Sequence, residues 1–349
     1  MSTNDDGQED KIDLDKPQDA SEPTSAAPSN EERRQAAKAK LEQRLEHEHQ
    51  QARRRKIIIA SVSTAVVVAV VATVTTIVVK NILDDREAAR WTSCTYAAAE
   101  NPLDNLPKTV PANVPADQRA NYQKQIDEAQ RQAAQARPLE RTSPKPDAKQ
   151  LKSGTAAWQL NTSQGLIPIT LDRAGAPCNT DAIIALTQNK AALKSNPKVT
   201  FNSFFDQTSC GRMTTSKTLN VLQCGDPTKI GVGGPGWSSP DEPPTDLKPS
   251  PSQNPMAGDQ NVIYPRGTVA VYNRNNPQSG SANTGGSQFF IVISDSQLPA
   301  NYSVIGKVDD AGLKVLDKVS KAGVVPTSPD QPGEGAPKLP VDIKTATIS

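Results

Sequence analysis

Gly286-Ser287-Gln288-Phe289-Phe290-Ile291, continuing as Val292-Ile293, is the stretch on which the fold turns. A short apolar run bounded by turn residues reads as a buried strand. Similar runs stand on either side of it: Asn220–Cys224, Thr268–Tyr272, Val304–Val308 and Ile343–Ile348. Upstream, Trp158 and Leu160, then a Ser163-Gln164-Gly165 turn, then Ile167, Ile169 and Leu171 alternate as two strands of a hairpin. Ile183, Leu186 and Leu193 predict a helix with Asn179 as its N-cap. Leu313, Leu316 and Val319 predict a second helix ending before Gly323. Residues 238–260 carry turn residues and little that is apolar, and read as a surface loop. The expected class from residue 152 onward is mainly β, a barrel or sandwich with two helices attached.

The 349 residues hold more than this domain. Only 35% are apolar and 4% aromatic, against 29 prolines, too lean for one core of that length. Residues 1–32 carry ten acidic side chains and two lysines, and are expected to be a disordered tail. Residues 33–56 carry nine Lys or Arg against three Glu, the pattern of a basic solvated helix. Residues 57–79 contain no charge, and 23 residues of helix reach roughly 34 Å, the thickness of a bilayer core. Arg53-Arg54-Arg55-Lys56 precedes the run, while Asp84, Asp85 and Glu87 follow it. That asymmetry predicts a single-pass anchor, cytoplasmic at its N-terminus, with the C-terminal domain extracytoplasmic and 57–79 in contact with lipid. Residues 80–151 are interrupted by Pro102, Pro107, Pro111, Pro115, Pro138, Pro144 and Pro146, and are expected to be a linker or stalk holding one helix, Asp117–Ala136.

Several chemistries are excluded early. The net charge is +1, so nothing points to nucleic acid as a partner. Both histidines, His47 and His49, lie in the first fifty residues, so His-based triads and most zinc sites are absent from the C-terminal half. Gly231-Val232-Gly233-Gly234-Pro235-Gly236 matches a dinucleotide fingerprint literally, but Pro235 and the following Trp237-Ser238-Ser239-Pro240 allow no helix to open there. It reads as a glycine-rich turn. Cys94, Cys178, Cys210 and Cys224 allow three complete pairings, or free buried thiols. Cys210 and Cys224 bracket a hairpin-sized segment and are the first choice for a bridge.

The order Cys210-Gly211-Arg212, Val221-Leu222-Gln223-Cys224-Gly225-Asp226-Pro227, Gly231–Gly236, Gly267-Thr268-Val269-Ala270-Val271-Tyr272-Asn273, Gly286-Ser287-Gln288-Phe289-Phe290-Ile291 and Tyr302-Ser303-Val304-Ile305-Gly306-Lys307-Val308 resembles cyclophilin-type peptidyl-prolyl cis–trans isomerases over residues 154–349. The layout with the anchor looks like a membrane-bound bacterial member. The resemblance implies a closed antiparallel barrel of eight strands capped by two helices, acting on the X–Pro bonds of exported proteins without metal or cofactor. It implies catalytic roles for Arg212, Gln223, Gln288 and Phe290. Val221 and Leu298 would form walls of a proline pocket, with Tyr272, Asn273 and Tyr302 against the peptide. Arg212 would stabilise the twisted amide, Gln223 would hold Arg212, and Phe290 would form the floor. The sequence departs from the family pattern at Gly211, where histidine is usual, at Asn220, where an aromatic is usual, and at Tyr272, where a small residue is usual. A module that binds proline peptides without turnover is the alternative expectation.

Overall fold

The computed structural model describes residues 30–251 and 261–349, without the side chains of 62–67. The acidic tail falls outside the described residues except for 30–32, as does 252–260 of the 238–260 loop. The chain divides into two compact units, Met1–Asn81 and Ile82–Ser349.

The basic and uncharged segments form one helix, Asn30–Arg90, of 61 residues. Glu31 and Glu32 in its first turn and Arg90 in its last have the signs that the helix dipole favours. Thr73, Thr75 and Thr76 each donate to the carbonyl four residues back, so their hydroxyls are satisfied within the helix. Among the described residues no helix is long and apolar enough to cross a membrane. The side chains of 62–67 lie within the uncharged run.

The second unit is organised by an eleven-stranded sheet. Reading across it, the strands are Val324–Pro326, Glu334–Pro337, Arg212–Thr214, Asn220–Cys224, Phe289–Ser294, Thr268–Val271, Val304–Val308, Gly165–Asp172, Thr155–Thr162, Asp342–Ile348 and Thr208–Ser209. Every neighbouring pair is antiparallel. The hairpin of Thr155–Thr162 with Gly165–Asp172 shows why the alternation was readable. Trp158 sits opposite Ile169 and Leu160 opposite Ile167, and all four are buried. One face of the ladder is therefore core, and a one-residue slip would expose the whole apolar set. Trp158, Phe205 and Phe289 meet edge to face, with Trp158 4.9 Å from Phe289 between ring centroids.

The sheet is not the closed eight-stranded barrel that was expected. It has two ends, at Val324–Pro326 and Thr208–Ser209, and curls into a half-barrel. A bridge between Ser209, on the last strand, and Asp226, just past an interior strand, marks the curl. The additional strands are only two to four residues long. Such lengths carry no periodic signal.

Two helices, Pro177–Gln188 and Asp310–Ala322, pack on the unit's core. Asp309 caps the second, accepting from the backbone N–H of Gly312 at 2.8 Å. The first begins earlier than expected, with Pro177 at its start and Asn179 inside its first turn, so Asn179 is not the N-cap. The first-turn backbone N–H groups of Cys178 and Asn179 donate instead to the carboxylate of Glu242, at 3.0 and 2.8 Å. A cap supplied from more than sixty residues away is invisible to a local rule.

The stretch expected as a linker runs in short paired pieces from Trp91 onward. Trp91–Ser93 pairs with Lys149–Leu151, Ala97–Ala98 with Trp237–Ser238, and Arg141–Thr142 with Ala191–Leu193. Its helix spans Arg119–Ala136. Cys94 is bonded to Cys178, and the hydroxyl of Tyr96 donates to the Cys178 carbonyl at 2.8 Å. Buried Arg141 donates to the carbonyls of Phe204 and Asp206 at 2.7 and 2.6 Å and lies over the Phe201 ring. Burial brings its pKa down to about 10.

Candidate active site

Four neighbouring strands place the site. Arg212 is registered opposite Gln223, Gln223 opposite Phe290, and Phe290 opposite Ala270. Residues paired across a ladder project to the same face, so these side chains emerge together. Their chain neighbours Met213, Leu222, Phe289 and Ile291 project the other way, into the main core. Val221, Ala270, Phe290 and Val292 form a second, smaller apolar cluster on the outer face, with Tyr264.

A directed chain of polar contacts crosses this face. Arg212 Nη1 donates to Gln223 Oε1 at 3.3 Å, and Gln223 Nε2 donates to Gln288 Oε1 at 2.9 Å. Gln288 Nε2 donates in turn to the carbonyls of Gly231 and Gly233 at 3.1 and 3.0 Å. Arginine has only donors and a carbonyl only accepts, so each amide has a single orientation that satisfies both neighbours. Gln223 and Gln288 are buried, where an unpaired amide costs about 1–3 kcal/mol. No helix opens at Gly231–Gly236, and the segment is irregular up to the short strand Trp237–Ser238. The Asp226 carboxylate organises it by accepting from the backbone N–H groups of Thr228, Gly231 and Gly233.

Beside this chain lies a groove of about 450 Å³ lined by Arg212, Leu219, Val221, Gln223, Gly231, Tyr272, Phe290, Leu298 and Tyr302. Phe290 is floor-like and buried, with Tyr302 edge-on to it at 5.3 Å and Tyr272 stacked on Tyr302 at 6.3 Å. Tyr264 supports both from beneath, its hydroxyl bonded to the Pro299 and Tyr302 carbonyls at 3.1 Å. Burial pushes the Tyr302 phenol up from its ordinary pKa; Tyr272 adds to the shift and Arg212 opposes it. Cys210 and Cys224 are joined by a disulfide at the end of the two strands carrying Arg212 and Gln223.

Seven of the residues singled out from sequence thus line one groove, and Gln288 stands directly behind Gln223. Asn273 lies outside the lining, and its side chain donates to the Asn301 carbonyl at 2.7 Å. Sequence reasoning missed Leu219, Tyr264 and above all Glu334, whose carboxylate accepts from Arg212 Nε at 2.8 Å. Glu334 lies 122 residues downstream in a short strand between two glycines, where nothing in the local sequence marks it.

The family model described as cyclophilin type peptidyl-prolyl cis-trans isomerase/CLD matches residues 157–348. The chain belongs to this family. Its cyclophilin domain therefore holds the groove, the Arg212–Gln223–Gln288 chain and the Cys210–Cys224 bridge. Among curated relatives, a probable peptidyl-prolyl cis-trans isomerase B of Mycobacterium leprae is 40% identical over 178 residues, covering 51% of this chain and 53% of that protein. The counterpart of Mycobacterium tuberculosis is 39% identical over 187 residues, covering 54% and 52%. The chain thus spans about half the length of these curated relatives. A Cryptosporidium parvum cyclophilin crystal structure aligns with a TM-score of 0.37 and 21% identity, covering 56% of this chain and 98% of that one.

Proposed function

We propose that the cyclophilin domain catalyses cis–trans isomerisation of X–Pro bonds in polypeptides. The barrier to rotation is about 18–20 kcal/mol because the amide C–N bond has partial double-bond character. No covalent bond has to break, so a catalyst needs only to grip the proline ring and favour the twisted amide. The groove floored by Phe290 offers the grip. In the twisted state the prolyl nitrogen becomes pyramidal and basic, and a fixed donor then helps the transition state more than the ground state. Arg212 is that donor, its planar guanidinium presenting only N–H groups. The observation that carries this reading is Arg212 held by Gln223 at the rim of an apolar groove.

The test is a protease-coupled proline-peptide assay on the full chain beside Arg212→Ala. A catalysed rate well above background that Arg212→Ala abolishes is expected; equal rates at background would remove the enzymatic reading. The second reading, a module that holds proline segments without turnover, is favoured by Tyr272 stacked on Tyr302 along the groove wall. Peptide-induced NMR shifts without accelerated exchange between cis and trans signals would select it.

Membrane anchoring through 57–79, with the domain extracytoplasmic and exported proteins as clients, belongs to the same proposal. It is supported by the 23 uncharged residues and the Arg53–Lys56 cluster before them. Flotation of the full chain with liposomes, lost when 57–79 are deleted, is the expected result. Two disulfides in the second unit suit an oxidising compartment.

A further inference from the structure

Arg212 is held on two sides, and only one of the two partners lies in the polar chain of the groove. Gln223 takes Nη1, while the Glu334 carboxylate takes Nε at 2.8 Å. Glu334 sits on the strand Glu334–Pro337, registered opposite Thr214, two residues along from Arg212 on the neighbouring strand. Its backbone position is thus fixed by the ladder that carries the arginine. A guanidinium on three methylenes has several rotatable bonds, and one contact at 3.3 Å leaves its plane free to pivot. A second contact at Nε, on the other side of the planar fork, removes that freedom and leaves Nη2 directed at neither partner. The side chains of Arg212 and Glu334 remain 39% and 34% exposed, so solvent screens the pair and its value lies in geometry more than in stability.

We infer that Glu334 is a positioning residue for Arg212: it presets the guanidinium plane so that the fork meets the twisted prolyl amide without reorganisation. The inference rests on the isomerase reading above. What Glu334 must supply is an acceptor at Nε, and a carboxamide oxygen at the same place serves as well as a carboxylate. Glu334→Gln is therefore expected to stay within about twofold of the parent chain, whereas Glu334→Ala loses roughly threefold to fivefold in the saturated isomerisation rate, the loss that matches an exposed pair.

The experiment uses the full chain and follows peptide exchange by NMR at saturating chain, with peptide affinity taken from the same titrations. The expected pattern is a lowered saturated rate for Glu334→Ala, an unchanged affinity, an unchanged thermal midpoint, and recovery in Glu334→Gln. An unaltered rate in Glu334→Ala, or a loss shared equally by Glu334→Gln, overturns the inference. Exchange of the Arg212 Nε–H, read with nitrogen-labelled arginine, separates this failure from failure of the isomerase reading. If the parent chain does not catalyse exchange, the isomerase reading falls on its own. Slow Nε–H exchange in the parent chain and fast exchange in Glu334→Ala would still uphold the positioning, and equal exchange in both would end it.

Discussion

Arg212 and Gln223 face each other across an antiparallel ladder, with Nη1 of the first 3.3 Å from Oε1 of the second. The contact fixes Gln223 as acceptor on one side and donor on the other, and so determines the orientation of Gln288 beyond it.

Arg212→Lys should behave like Arg212→Ala. An ammonium on a flexible stem cannot hold the Glu334 and Gln223 contacts that a planar fork makes together. Both variants are expected to lose about a hundredfold in kcat/KM, the usual loss when a fixed transition-state donor is removed. Protease-coupled rates on the two variants decide it, and a lysine variant near the parent rate would refute the fork argument.

Gln223→Leu keeps the approximate size of the side chain but strands the Oε1 acceptor of buried Gln288. The expected cost is about 1–3 kcal/mol in urea unfolding, alongside a reduced rate. A variant equally stable but slow would assign Gln223 wholly to catalysis.

The two disulfides should differ in worth. Cys94–Cys178 closes a separation of 84 residues and Cys210–Cys224 one of 14. On the chain-entropy account, removing the longer loop costs about 1.6 kcal/mol more than removing the shorter. Urea titrations of the two paired serine variants compare them directly, and a reversed order would point to an enthalpic origin.

Gly225 has φ +89° and stands against the Ser287 carbonyl, where any Cβ would collide with backbone. Gly225→Ala is expected to lower stability by about 1–3 kcal/mol through backbone strain, with the collision adding to it. A thermal melt checks it.

Alkaline pH should unfold the domain. Burial raises the pKa of Tyr96, Tyr264 and Tyr302 above the ordinary 10.0. A raised folded value means that each phenol contributes stability fully present below pH 10, which is lost as pH rises through the folded value. Tyrosinate absorbance of these three should therefore appear together with loss of near-ultraviolet dichroism. Their ionisation in a chain that stays folded would contradict the burial argument.

The parts of this molecule that could be read from sequence are those in which one strand carries its own evidence. Trp158 through Leu171 alternates because one face is core, and Phe289–Ile293 is apolar throughout because both faces are covered. That Arg212, Gln223 and Phe290 share one site was legible only through the resemblance of the ordered motifs to cyclophilins, and the ladder register then places them on one face. What escaped depends on distant partners. Glu334 reaches Arg212 across 122 residues, and Glu242 caps a helix that Asn179 was expected to cap. Strands of two or three residues between 91 and 151 have too few positions for any period to show. Closure of a sheet is set by its ends, and here those ends are strands of only three and two residues.

The Cys94–Cys178 bond also bears on how the chain survives cleavage. A cut at any peptide bond between those two cysteines, including those in the proline-rich stretch, leaves the fragments covalently joined. Under oxidising conditions a protease nick there releases nothing. The damaged molecule keeps its long N-terminal helix, and only a reductant would reveal that the chain had been cut.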